Sequence, residues 1–189
     1  MAGVTRNPRP LFVTTLPSAP SDGQEIYYQS TTAGTGGGAT DTMATVGSVW
    51  HLRYRSASAS AYKWEFVGGA TTAHTDLSKK PASLTAYSQN VWTDIDNAVV
   101  VKAPLAGDYL ATYSIQIYTS GFAGLKVGST DSTLDATTTY SGTTWGTHST
   151  SRVVTAAALD GVSVRYQPTS NVSSQRLGAM VSLTPIRVG

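Results

Sequence analysis

Few residues in this 189-residue chain can do chemistry, and their spacing limits what that chemistry is. Asp94 and Asp96 are two apart, so an extended strand puts both carboxylates on one side, where they can seat a hard cation. Beside Asn97 the same pair reads as a solvated strand end, and we take that reading first. Asp131 and Asp135 lie in a Ser/Thr-rich stretch without EF-hand spacing or a nearby Glu. His51, His74 and His148 fall in three separate segments, with no His-x-His or His-Glu-x-x-His pattern. Serine is abundant, but no Gly-x-Ser-x-Gly elbow occurs. The glycine stretch TTAGTGGGATDT lacks the Lys-Ser/Thr that completes a phosphate loop and reads as a flexible loop. Sugar-cleaving enzymes work with paired carboxylates, and the 11 acidic residues offer no obvious pair. Asn171-Val172-Ser173 has the form of a glycosylation sequon, but MAGVTRNPRPLF is not a signal peptide. The expectation is a protein that is not an enzyme and holds neither metal nor cofactor.

Surface recognition is the remaining candidate. The segment from Ser129 to Ser149 carries Tyr140, Trp145 and His148 among small polar residues. Aromatics framed by Ser, Thr and Gly make adaptable contacts at low entropy cost. Trp145 fits a cap on the core equally well. At the N-terminus, Pro8, Pro10, Pro17 and Pro20 keep the backbone extended and out of ladders. Residues 1–20 therefore read as an arm, with Leu11, Phe12 and Val13 as an apolar anchor and Arg6 and Arg9 as its charges. Such an arm suits docking onto a neighbouring subunit.

The elements that position these residues are strands. Ser and Thr make up about a quarter of the chain, and with 18 glycines and short apolar runs this describes an all-β sandwich or barrel. Trp50, Leu52 and Tyr54 alternate with His51, Arg53 and Arg55; Tyr62, Trp64 and Phe66 alternate with Lys63 and Glu65. With SASASA between them, the two limbs form a hairpin with one aromatic face. Setting Tyr54 opposite Trp64 also opposes Arg53 to Glu65, whereas a two-residue slip would oppose Arg53 to Lys63. Tyr109, Ala111, Tyr113, Ile115 and Ile117 line one face of a later strand, and Val162, Val164 and Tyr166 line another. Leu177, Ala179, Val181 and Leu183 line a last one, while residues 119–150 read as a long Gly/Ser/Thr-rich section. The chain divides into the arm (1–20), a small β-hairpin module (21–69), a linker (70–84) and a C-terminal β-sandwich (85–189).

With no cysteine, disulfides and thiolate metal sites are excluded. A net charge of +2 is too weak to point to nucleic acid, and no apolar segment is long enough for membrane insertion.

Two stretches resemble known families. LPSAPSDGQEIYYQ and VWHLRYRSASASAYKWEFVGG, within residues 16–69, resemble a small β module of tailed-bacteriophage structural proteins. That module occurs mostly in minor tail and fibre-like proteins, fused to variable C-terminal domains. Residues 98–189, through AGDYLATYSIQIY and ALDGVSVRYQ, are similar in layout to jelly rolls of the tumour necrosis factor and complement type, which form homotrimers. The resemblances imply a virion protein made in a bacterial cytoplasm, its N-terminal module attached to other virion proteins and its jelly roll facing outward. The implied role is a tail-tip or fibre protein binding a host-surface glycan or protein non-covalently. A capsid decoration or head-fibre protein is the alternative, and a glycan-cleaving tail enzyme ranks last.

Overall fold

A computed structural model describes residues 10–31, 49–69, 85–95, 100–117, 120–136, 146–175 and 178–189. These contain strands and turns and no helix. In chain order the strands are β1 (Leu11–Val13), β2 (Glu25–Gln29), β3 (Val49–Tyr54), β4 (Trp64–Gly69), β5 (Thr85–Tyr87), β6 (Thr93–Asp94) and β7 (Val100–Lys102). They continue with β8 (Gly107–Ile117), β9 (Gly121–Val127), β10 (Thr130–Ala136), β11 (Gly146–Ala156), β12 (Gly161–Pro168), β13 (Val172–Gln175) and β14 (Gly178–Val188).

Two sheets form the sandwich. One runs β1-β2-β3-β4-β14-β8-β11, the other β10-β9-β12-β6 with β7 also paired to β12. β5 and β13 make a separate two-stranded ribbon. The chain crosses between the layers as it goes: β8 in the first, β9 and β10 in the second, β11 back in the first, β12 in the second, β14 in the first. This is the weave of a jelly roll, and it leaves one apolar layer between the sheets.

Alternation places that layer. Tyr109, Ala111, Tyr113, Ile115 and Ile117 of β8 are buried, as are Val162, Val164 and Tyr166 of β12 and Ala179, Val181 and Leu183 of β14. Leu177 lies outside the described residues. The buried tyrosines keep partners for their hydroxyls: Tyr109 Oη donates to the Leu105 carbonyl at 2.6 Å, and Tyr113 Oη reaches across the sandwich to the Ala123 carbonyl at 3.4 Å. Burial pushes both phenols above their ordinary ionisation range, most strongly Tyr109.

The hairpin takes the register in which Tyr54 faces Trp64 and Arg53 faces Glu65. Trp50, Leu52 and Trp64 are buried, and Tyr54 and Phe66 pack against the same core. Burial of a large side chain is worth roughly 1.5–3 kcal/mol, so this face rules out a one-residue slip, and the opposed charges of Arg53 and Glu65 favour the observed register over a two-residue one. Tyr62, at the foot of the hairpin, stays half-buried. Beyond Leu52 the pairing slips by one, because Val67 is an extra residue between Phe66 and Gly68. Gly69 closes this bulge at a φ of +127°, where an added Cβ would strike the Val49 carbonyl.

Three findings modify the reading from sequence. Leu11–Val13 is a strand, paired in parallel with Ile26–Tyr28. The Gly/Ser/Thr-rich section 119–150 holds β9, β10 and the start of β11, so part of the Ser129–Ser149 segment is strand. The N-terminal strands continue directly into the sandwich, because β4 pairs with the end of β14 through Trp64–Val188 and Glu65–Arg187. Residues 70–84 lie outside the described residues.

The turn from β11 to β12 carries a strained residue. Leu159 is exposed at a φ of 71°, in the left-handed region that costs a side-chain-bearing residue about 1–2 kcal/mol. Leu159→Gly is expected to raise the melting temperature by roughly 2–4 °C, after the entropy cost of glycine is set against the relieved strain. Thermal denaturation followed by circular dichroism checks this; an unchanged or lower midpoint contradicts it.

Candidate functional site

The hairpin's polar face is a network. Strand alternation turns Glu25 and Tyr27 of β2 and His51 and Arg53 of β3 to the same outer side. Arg53 faces Glu25 on one neighbour and Glu65 on the other. It bonds to Glu25, with Nη2 at 2.6 Å and Nε at 2.8 Å from Oε1. His51 Nε2 lies 3.0 Å from the other oxygen of the same carboxylate. Glu65 takes Arg55 instead, Nε to Oε2 at 3.1 Å. The Arg53 guanidinium, and after it His51, holds the Glu25 carboxyl below its ordinary pKa. Beside these charges runs a row of rings: Phe12 stacks on Tyr27 at 4.9 Å between centroids, and Tyr27 meets His51 at 5.0 Å.

The outer face of β8, β11 and β14 has a different character. Three successive rungs read Ser149–Ser114–Met180, Ser151–Thr112–Ser182 and Val153–Leu110–Thr184 across the three strands. None of the nine residues is charged. Hydroxyls bridge the strands, Thr112 Oγ1 to Ser151 Oγ at 2.8 Å and Ser114 Oγ to Ser149 Oγ at 2.5 Å. Leu110 and Val153 are neighbours in register and stand 38% and 57% exposed. Charge returns at the next rung with Asp108, whose carboxylate accepts from Thr155 and Ser60, each at 2.8 Å. The result is an uncharged, mildly apolar patch in which Ser114 is already buried.

The candidate cation seat has internal cations. Asp94 Oδ1 is 3.0 Å from Arg165 Nε, its cross-strand neighbour, and Oδ2 is 3.7 Å from Lys126 Nζ. The Arg165 guanidinium also donates to the Trp92 carbonyl at 2.7 Å, which ties β12 to the segment before β6. Asp96 lies outside the described residues. Asp131 and Asp135 belong to strand β10, Asp131 paired with Lys126, and not to a loop. Among the described residues no three His, Cys, Asp or Glu side chains form a group able to hold a metal.

Of the candidate recognition residues, His148 is half-buried on β11 opposite Ile115, while Tyr140 and Trp145 lie outside the described residues. Arg6 and Arg9 lie outside them too. Of the apolar anchor, Val13 packs against the core and Leu11 and Phe12 stay exposed. The ring row and the uncharged patch escaped the reading from sequence. EIYYQ held the signal for the first, since its alternation sets Glu25 and Tyr27 opposite in direction to Ile26 and Tyr28. No protein-family profile matches the sequence, and no curated protein matches it.

The network has a pH signature. Glu25 titrates below its ordinary value of 4.5 in the folded chain, so its stabilisation is full above that value and is lost as pH falls through the lower, folded one. Wild type is expected to melt above Glu25→Gln at pH 6, the gap closing as the pH is lowered past about 4. Asp22, held below its ordinary value by Ser56, contributes equally to both proteins and cancels. Paired melts across this range check it; a gap independent of pH contradicts the ion-pair assignment.

Proposed function

We propose that this chain is a structural, non-enzymatic protein of a tailed-bacteriophage virion, outward-facing at the tail tip or fibre and binding the host surface non-covalently. The phage-module likeness of residues 16–69 supports the setting. The observation that carries the assembly claim is the uncharged nine-residue patch on β8, β11 and β14. Burying such a patch against another copy strands no charge and covers Leu110 and Val153. The assembly proposed through this face is the homotrimer that the jelly-roll likeness of residues 98–189 implies. The described carboxylates favour a structural role, since Asp22, Glu25, Glu65, Asp94, Asp108 and Asp160 are each held by a hydrogen bond or ion pair within the fold. A head-decoration role is the second reading, favoured by the exposed Leu11 and Phe12 within the arm.

Light scattering is expected to give a mass near three times 19.8 kDa for wild type and near 19.8 kDa for Val153→Arg, with unchanged circular dichroism. A wild-type monomer overturns the trimer. Gold-labelled antibody to residues 98–189 on purified virions tests the location. Label at the tail tip supports the leading role, label on the head selects decoration, and unlabelled particles sink both.

A further inference from the structure

β1 closes one end of the seven-stranded sheet; it pairs with β2, and no described strand pairs with its other edge. It is also apolar on both sides. Phe12 points to the outer face with Tyr27, while Leu11 and Val13 follow Ile26 and Tyr28 on the inner one. Leu11 and Phe12 are 62% and 67% exposed. An open edge bearing large apolar side chains is a template for a further strand. The ring row makes the same point, since His51, Tyr27 and Phe12 step across three adjacent strands and the row ends at Phe12.

We propose that the edge of β1 turned away from β2, unpaired among the described residues, pairs antiparallel with β1 of a second copy of this chain, centred on Phe12. The segment Leu11-Phe12-Val13 is self-complementary about its middle residue. A two-fold axis there puts Phe12 against Phe12, so the ring row of one copy runs into that of the other. On the opposite face Leu11 of each copy meets Val13 of the other, apolar against apolar. No charge falls within the pairing, and the interface is isologous, as a closed dimer contact requires. Pro10 lacks an N–H and ends the ladder, so the contact is three residues long and well short of the roughly 1,200 Å² of a stable complex. It is therefore weak between free chains and strong where copies are already held side by side. This edge lies at the opposite end of the sheet from β11, so it acts independently of the patch on β8, β11 and β14.

Single-cysteine variants test the register, in a chain with no cysteine of its own. In the proposed pairing the two Phe12 positions are about 5 Å apart, within disulfide reach, whereas the two Leu11 positions are about 8 Å apart and outside it. Leu11 and Phe12 are almost equally exposed, so random collision treats them alike. Under mild oxidation Phe12→Cys is expected to run as a covalent dimer on a non-reducing gel, and Leu11→Cys as a monomer. An equimolar mixture of Leu11→Cys and Val13→Cys is expected to give the mixed dimer. Adding Leu11→Lys to the Phe12→Cys chain is expected to reduce its dimer to the Leu11→Cys level. The proposal is overturned if Phe12→Cys stays monomeric with its thiol freely titratable, or if Leu11→Cys cross-links as readily as Phe12→Cys. Circular dichroism of each variant confirms that it is folded before the gel is read.

Discussion

The structure depends on the period-two alternation of one strand, β8, paired along its full length with β11 and from Gly107 to Gln116 with β14. β11 runs beside it from Gly146 to Ala156 and β14 from Gly178 to Val188. Its inward residues are large and buried, so a slip of one position would send two tyrosines and two isoleucines to solvent. Nothing at the surface can compete with that. The outward residues Leu110, Thr112 and Ser114 are consequently fixed in place, and so is the uncharged patch they build with β11 and β14. The core thus positions the surface through a single backbone.

The same logic carries the N-terminal strands. β4 joins the sandwich only where Trp64 and Glu65 meet Val188 and Arg187, the last residues of β14. At that point Gly107 brings β8 so close that an added Cβ would lie 2.8 Å from Val188 Cγ1. A glycine there lets three strands converge, and the Gly189 N–H caps the junction by donating to the Ala106 carbonyl at 3.0 Å. The outer ion pairs are decoration on this frame. Exposed pairs are worth about 0–1 kcal/mol each, far less than the aromatic face beneath them.

How far the sequence could be read depended on whether a residue's partner was local. The hairpin register was legible because both limbs lie within 21 residues, Val49 to Gly69, and one slip set like charges opposite. The actual partner of Arg53 was not legible, because Glu25 arrives from β2, across residues that sequence distance does not relate. Asp94 behaves the same way: it reads as a free carboxylate until β12 brings Arg165 against it. The start of β11, within the Ser129–Ser149 segment, is hard to read as strand because it is built of small polar residues, which suit a sheet edge yet look like a turn in one dimension.

What the sequence determined alone was the set of strands with a strong apolar period, and with it an all-β chain whose buried face is Tyr109 to Ile117, Val162 to Tyr166 and Ala179 to Leu183. Hydrophobic alternation is a local property, and each strand carries its own copy of it. Which strands became neighbours was decided only by the tertiary structure. Strand order sets which outward residues stand side by side, so the rung Val153–Leu110–Thr184 and the row Phe12–Tyr27–His51 exist only once three distant segments have paired. A surface is made of residues that burial leaves over, and no single segment records who its neighbours will be.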